Sequence, residues 1–194
     1  MEKELLAFMS QYIELDAREE EIFLSGLNFQ HFKKGSFLLK KGEIAQHCFF
    51  VIKGCVRKYY VMGGEEKTTA FYTEYQPINP ISLMTREPSS YYLACSEDCV
   101  LSVGDEEKTE ELFREIPKFD MLAREFSNQM MVEQEIMFDD YHNLDPEMRY
   151  VKLMDKRPDL LQRVPQYQLA SYLGIKPESL SRIRKRIRER EQVA

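Results

Sequence analysis

LASYLGIKPESLSRIRKRIRER, Leu169 to Arg190, begins as an apolar helix pattern, breaks at one glycine and resumes as an arginine-rich helix. Gly174 stands where a sharp turn needs a residue that tolerates positive φ, and Ile175 would plug that turn. Pro177 suits the first position of a second helix. Small or apolar anchors flank the turn: Leu169, Ala170, Leu173, Leu180 and Ile183. The spacing predicts a helix-turn-helix; the alternative is a helical hairpin that packs only on its own domain.

The second helix of this motif has an open polar face once Leu180 and Ile183 are buried. Arginine pairs with guanine and glutamate accepts from cytosine in the major groove, so Arg182 and Glu178 are candidate base readers. These two lie at i, i+4, where each can orient the other. Further arginines, including Arg188 and Arg190, suit phosphates or solvent. The predicted DNA-binding set is Lys176, Glu178, Ser179, Ser181, Arg182, Arg184, Lys185 and Arg186.

Charge is distributed unevenly along the chain. The 194 residues carry a net charge of −6, which by itself argues against a nucleic-acid partner. Residues 149–190 contain twelve Lys or Arg and four Asp or Glu, a net of +8, so the rest of the chain carries −14. This asymmetry indicates a nucleic-acid-binding tail attached to an acidic body.

Several classes of protein and site are disfavoured by what the sequence lacks. The N-terminus MEKELLAFMSQYIELD is not typical of a signal peptide, and no apolar run reaches the length of a membrane span. We therefore expect a cytoplasmic protein without a membrane partner. The three histidines lack metal-ligand spacing, so we expect no metal and no cofactor. The four cysteines are too few and too irregularly spaced for a disulfide framework: Cys48, Cys55, Cys95 and Cys99. Cys95 and Cys99 could be structural or could form a thiol switch.

The residue pattern changes along the part of the chain that precedes the basic C-terminal region. Residues 1–27 have apolar residues at helical spacing, closed by Gly26. From His31 to about Val103, short aromatic and β-branched runs alternate with turn signals, and the Gly63-Gly64 pair suits a tight hairpin. This pattern predicts a β-sandwich or barrel of the jelly-roll type.

A long helix is predicted from Pro117 to about Phe138, with a hinge at 141–148 in which Asp145 caps the next helix. The apolar stripe of the long helix could pack on the β-sheet of the same chain or form a dimer seam. The predicted fold class is α+β, with a jelly-roll domain, a long central dimerisation helix and a small all-α helix-turn-helix domain. The predicted domains are 1–116, 117–142 and 143–194. The stripe consists of Phe119, Leu122, Ala123, Phe126, Met130 and Met137.

Over nearly its whole length the chain resembles the Crp/Fnr family of bacterial transcription regulators. The resemblance rests on KKGEIAQHCFFVIKGCVRKYY, the long helix and LASYLGIKPESLSRIRK. It implies a cyclic-nucleotide-binding-like sensor, dimerisation through the central helix, double-stranded DNA with a two-fold operator, and RNA polymerase as a candidate partner. Glu178 and Arg182 match the family's base-reading pair, whereas Pro177 replaces a further family arginine. The family's usual β-hairpin wing is missing after Arg190.

The resemblance weakens at the cyclic-nucleotide cassette, where the family has a Gly-Glu pair and a later arginine. In INPISLMTREPSSYYLA, Asn79-Pro80 aligns with the pair and Ser89 or Pro88 with the arginine. We therefore predict an unidentified small-molecule effector other than cAMP. The candidate ligand-binding residues, which core packing would explain equally well, are Asn79, Leu83, Met84, Arg86, Ser89 and Tyr91.

Three hypotheses remain open for function. The first is a dimeric DNA-binding regulator gated by that effector, and the second is a constitutive DNA-binding protein whose sensor binds no ligand. They differ only in whether a small molecule changes DNA affinity. The third, a cupin-type metal enzyme, is disfavoured because the sequence has no H-x-H pair, and we expect no enzymatic activity.

Overall fold

The structure is a computed structural model that describes residues 1–104 and 106–191. Helices and strands alternate as the sequence predicts: helical at the start, β-rich in the middle and helical to the end. The strands are β1 (Phe29–Phe32), β2 (Phe37–Leu39), β3 (Cys48–Lys53), β4 (Val56–Met62), β5 (Glu65–Tyr72), β6 (Pro77–Ile78), β7 (Tyr92–Cys95) and β8 (Cys99–Gly104). The helices are α1 (Glu2–Met9), α2 (Ala17–Gly26), α3 (Ile81–Thr85), α4 (Glu106–Glu115), α5 (Lys118–Asn143), α6 (Pro146–Lys156), α7 (Pro158–Arg163), α8 (Gln166–Tyr172) and α9 (Pro177–Glu191).

The strands form two antiparallel layers. Within the described residues, one sheet has the order β1-β8-β3-β6 and the other β2-β7-β4-β5. β8 pairs with both β1 and β3, and Val51 and Leu101, which face each other across that pairing, are fully buried. The α+β class and the β-sandwich are confirmed.

The tip of the β4–β5 hairpin has the predicted two-glycine turn. Gly63 has φ +60° and Gly64 has φ +82°. Two consecutive positive φ values define the type I′ turn, whose twist matches the right-handed twist of paired strands. The glycines therefore fix where β4 ends and β5 begins.

The chain divides into two compact units. One consists of residues 1–58 and 71–131, and the other of residues 59–70 together with the chain from Val132 onward. β4 and β5 run through both units, so the hairpin tip belongs to the same unit as the C-terminal helices. The three-part division drawn from the sequence stays a prediction.

The first half of α5 packs within the first unit. Phe119 stacks on Phe23 of α2 with ring centroids 5.1 Å apart, and Phe126 stacks on Phe8 of α1 at 6.2 Å. Phe119 and Leu122 are 5% exposed. This part of the predicted stripe packs inside the chain, mainly on α1 and α2 and also beside Ile52 and Val100 of the sheet. The dimer seam stays a prediction.

The second half of α5 is longer than the sequence predicts. The helix continues to Asn143 rather than Phe138, so the predicted hinge at 141–148 shrinks to two residues. Arg149 explains the extension, because its Nη1 donates to the carbonyl oxygens of Tyr141 and Leu144 at 3.0 and 2.9 Å. These bonds satisfy acceptors that a helix end leaves open. Asp145 caps α6 as predicted by accepting from the Met148 amide at 2.9 Å.

Candidate nucleic-acid interface

The turn between α8 and α9 closes with backbone hydrogen bonds. The Ile175 N–H donates to the carbonyl of Ala170 at 2.9 Å, and the Gly174 N–H to that of Ser171 at 3.1 Å. This pair of bonds is the Schellman motif, which requires a left-handed residue after the helix. Gly174 has φ +69°, as the sequence predicts.

Gly174 is also a point of close approach. A Cβ at this position would lie 2.6 Å from Cε2 and 2.8 Å from the hydroxyl oxygen of Tyr141. The Tyr141 ring, at the end of α5, therefore rests directly on the backbone of the turn. The Arg149 guanidinium lies over the same ring, 4.9 Å from its centroid. The turn is thus held by α5 as well as by its own hydrogen bonds.

The predicted anchors of the helix pair are all buried, with exposed fractions between 0% and 4%: Leu169, Ala170, Leu173, Leu180 and Ile183. Their burial fixes which face of α9 points outward. Ser179 and Arg184 of the predicted DNA-binding set are half-buried. The other six residues of the set are exposed: Lys176, Glu178, Ser181, Arg182, Lys185 and Arg186. Whether these side chains contact DNA remains a proposal.

The contact between Glu178 and Arg182 differs from the expected one. The Arg182 Nε donates to the main-chain carbonyl of Glu178 at 3.4 Å, rather than to its carboxylate. The Glu178 carboxylate and the Arg182 guanidinium are thus not held to each other in the way that the i, i+4 spacing suggests. Both side chains stay on the open face.

Two other arginines of α9 have a partner that the sequence reasoning missed. Glu147, in the first turn of α6, places Oε2 2.8 Å from Arg186 Nη2 and Oε1 2.6 Å from Arg190 Nη1. A groove of about 910 Å³ separates the start of α6 from α9, and both Glu147 and Arg182 line it. Glu147 precedes Arg186 by 39 residues, so no local pattern indicates the contact.

The hairpin of β4 and β5 contacts α8 through one hydroxyl. Ser171 Oγ accepts from the Thr68 N–H and donates to the Glu66 carbonyl, both at 2.9 Å. We name this pair of bonds the hairpin clasp. Ser171 sits in the middle of an ordinary helix pattern, and nothing in the sequence indicates a partner 103 residues away.

The stretch that aligns with the cyclic-nucleotide cassette makes its hydrogen bonds internally. Ser89 Oγ accepts from the Tyr91 N–H at 3.2 Å and donates to the Tyr91 carbonyl at 2.9 Å. The Tyr91 hydroxyl accepts from the Ile81 N–H, at the start of α3, at 2.9 Å. Ser89 and Tyr91 are 5% and 3% exposed. These groups are thus already used where a ligand would need donors.

The other candidate ligand residues do not converge on this place. Asn79, Met84 and Arg86 are exposed, and Leu83 is half-buried. Arg86 is the left-handed residue that ends α3, with φ +59°. Pro80 stands where the family has the glutamate, and Ser89 or Pro88 where it has the arginine. These residues supply neither the carboxylate for the ribose nor the cation for the cyclic phosphate, so they do not fit cAMP.

One cation does lie close to the buried tyrosine. Lys58 Nζ is 4.3 Å from the centroid of the Tyr91 ring, a cation–π distance. Burial lowers the pKa of Lys58 below the usual lysine value, because the charged ammonium loses water. Lys58 lies on β4 and was not among the predicted ligand residues.

The cysteines are free thiols, and three of them are buried: Cys55, Cys95 and Cys99. Cys99 Sγ donates to the carbonyl of Glu97 at 3.3 Å and lies 3.5 Å from that of Cys55. A hydrogen bond with Cys99, together with burial, raises the pKa of Cys95. Among the described residues, no His, Cys, Asp and Glu side chains group as metal ligands would, and no helix is long and apolar enough to cross a membrane.

Comparison with known proteins assigns the β-rich part of the chain. Residues 29–115 match the cyclic nucleotide-binding domain family. No curated protein sequence matches the chain.

Solved structures with a similar overall fold include transcription regulators. CLP from Xanthomonas campestris, a c-di-GMP-responsive global regulator, has a TM-score of 0.69 at 17% identity, covering 91% of this chain and 93% of its own. FixK2 from Bradyrhizobium japonicum has a TM-score of 0.71 at 14% identity, covering 85% and 86%. A regulator of the Crp/Fnr family from Eubacterium rectale has a TM-score of 0.66 at 14% identity, covering 91% and 85%.

Proposed function

We propose that this chain, which has the fold of the Crp/Fnr transcription regulators and contains a cyclic nucleotide-binding domain, is a sequence-specific DNA-binding regulator. It would bind a two-fold site in double-stranded DNA as a homodimer. The observation that carries the proposal is the open face of α9, which presents Glu178, Arg182 and Lys185 on a helix held by a buried helix-turn-helix. Such a helix enters the major groove with its first turns.

The roles of the α9 residues follow from their chemistry. Arg182 would pair with guanine and Glu178 would accept from cytosine, because these are the bidentate and acceptor partners that those bases offer. The remaining members of the set would bind phosphates or the edges of the site, which adds affinity without sequence information: Lys176, Ser179, Ser181, Arg184, Lys185 and Arg186.

Dimerisation would use the second half of α5. Met131, Val132, Ile136 and Phe138 are exposed by 63%, 52%, 47% and 65%. Val132 and Ile136 are four residues apart and share one helix face, as in a helix–helix seam. Of the stripe predicted from the sequence only Met137 belongs to this exposed half, so the proposed seam is built from other residues.

The effector remains unidentified. The internal hydrogen bonds of Ser89 and Tyr91 support a ligand other than cAMP. They equally support the second candidate, a constitutive DNA-binding protein whose sensor binds nothing. Because CLP is described as c-di-GMP-responsive, c-di-GMP is a rational second probe beside cAMP. We propose no enzymatic activity, a cytoplasmic location, RNA polymerase as a further partner, and domains at 1–116, 117–142 and 143–194.

Selection from a randomised duplex pool tests the proposal. The wild type should enrich a two-fold site with half-sites about one helical turn apart. Arg182→Ala should abolish that enrichment. Arg188→Ala removes the same charge from the same helix but off the base-reading face, and should weaken binding while keeping the selected sequence. Absence of any enriched sequence, with and without cAMP or c-di-GMP, would contradict a sequence-specific regulator.

A further inference from the structure

Glu147 binds two arginines of the helix that we propose to enter DNA. Its carboxylate uses one oxygen for Arg186 and the other for Arg190, at 2.8 and 2.6 Å. The Glu147 side chain is 21% exposed, whereas the side chains of Arg186 and Arg190 are 57% and 70% exposed. The carboxylate is therefore enclosed by its partners, while the guanidinium groups remain open to a second acceptor.

The two arginines surround the Glu147 carboxylate in the way in which they could surround a phosphate group at the same place. Two guanidinium groups converge on a pair of anionic oxygens, and arginine binds phosphate and carboxylate with the same planar fork. Arg186 follows Arg182 by four residues, so it lies one turn further along the same exposed face. Both arginines line the groove between α6 and α9. The groove thus opens beside the proposed base-reading surface.

We propose that this groove is a binding site for one phosphate of the DNA backbone, and that Glu147 occupies it in the free protein. The inference rests on the proposed DNA binding. On contact with DNA, the phosphate takes the guanidinium groups of Arg186 and Arg190, and the Glu147 carboxylate moves out to water. The exchange is feasible because a phosphate offers both guanidinium groups charge-assisted hydrogen bonds of the same kind as those to Glu147, and the released carboxylate regains water.

Glu147 consequently weakens DNA binding in two ways. It occupies two cations and cancels one of their two positive charges before the DNA arrives, and its own negative charge then stands close to the backbone phosphates. Both effects are independent of base sequence, because phosphate contacts carry no sequence information directly. Glu147 is in this sense an affinity-limiting residue: it lowers affinity for every duplex and leaves the reading by Arg182 and Glu178 unchanged.

The test compares Glu147→Gln with Asp155→Asn. Both variants remove one negative charge from α6, but Asp155 pairs with its neighbour Lys156 and not with α9. Binding is measured by fluorescence anisotropy on a non-specific duplex and on the selected site, over a salt series from about 50 to 200 mM. Glu147→Gln should lower the Kd for both duplexes about three- to tenfold relative to Asp155→Asn. The slope of log K against log salt should steepen by about one, since each neutralised phosphate contributes about 0.9.

Arg186→Ala in both backgrounds completes the test. The substitution should weaken binding more in the Glu147→Gln protein than in the wild type, because only there is the guanidinium free from the start. Equal affinity and slope for Glu147→Gln and Asp155→Asn, or equal effects of Arg186→Ala in both backgrounds, would overturn the inference while DNA binding itself stands. If no protein of the set binds any duplex at the lowest salt, both proposals fail together.

Discussion

Gly174 illustrates how one residue satisfies two requirements. Its φ of +69° is costly for any residue with a Cβ, and the Tyr141 ring occupies the space in which that Cβ would lie. Only the first requirement is visible in the sequence, since a glycine between two helix patterns indicates a turn. The second depends on where α5 ends, which is a long-range property.

Replacing Gly174 with alanine should therefore cost more than the left-handed backbone alone. We expect Gly174→Ala to lower the free energy of unfolding by more than about 2 kcal/mol, because backbone strain of about 1–2 kcal/mol adds to the clash with Tyr141. Urea denaturation provides the measurement. Gly35→Ala is the control, since Gly35 has φ +84° with nothing within 4 Å of a Cβ. Equal losses for the two variants would show that the Tyr141 contact does not constrain the turn.

Lys58 predicts a pH dependence of stability. Burial lowers the pKa of Lys58 in the folded protein, so the folded state binds fewer protons than the unfolded state in the window between the two pKa values. The free energy of unfolding of the wild type, relative to that of Lys58→Met, should therefore rise as the pH increases through the pKa of Lys58 in the folded protein. It should level off near the pKa of an unfolded lysine, about 10.4. Denaturation of both proteins at pH values across this alkaline range would measure it. A constant difference would mean that Lys58 keeps its normal pKa.

Among the elements, the β4–β5 hairpin and α8 are joined by the hairpin clasp. Ser171→Ala removes one acceptor for the Thr68 N–H and one donor to the Glu66 carbonyl. We expect a loss of about 1 kcal/mol and faster hydrogen exchange at the Thr68 amide. Ser25→Ala is the matched control, because the Ser25 hydroxyl is exposed and bonds only to the Ile22 carbonyl of its own helix. Unchanged exchange at Thr68 would contradict a stabilising role for the clasp.

Elements differ in how far the sequence predicts them. The sequence correctly predicts the turn at Gly63-Gly64, the cap at Asp145 and the helix-turn-helix, because each depends on residues that lie close together in the sequence. The end of α5 was placed too early because Arg149 bonds its last carbonyls from the next helix. The short helix α3 was missed, since five residues after a proline give too little periodicity. The pairing of Glu147 with α9 follows from tertiary structure alone.

At the scale of the whole molecule, the proposed dimer depends on the exposed half of α5. Ile136→Asp should convert a dimer into a monomer, because a charge would have to be buried in the helix seam without a partner. Light scattering coupled to size-exclusion chromatography measures the mass directly. Met62→Asp makes the same kind of change at an exposed apolar side chain of β4, outside α5, and should leave the dimer intact. A dimer that survives Ile136→Asp would place the interface elsewhere.

The hairpin tip at residues 59–70 belongs to the unit of the C-terminal helices although it lies far from them in the chain. The proposed DNA-binding part is therefore not a segment that can be exchanged with a single crossover. A chimera joined within α5 would bring a foreign α8 against the native hairpin and lose the match between Ser171 and the Thr68 amide. Recombinants that exchange residues 59–70 together with the C-terminal helices should inherit a complete module.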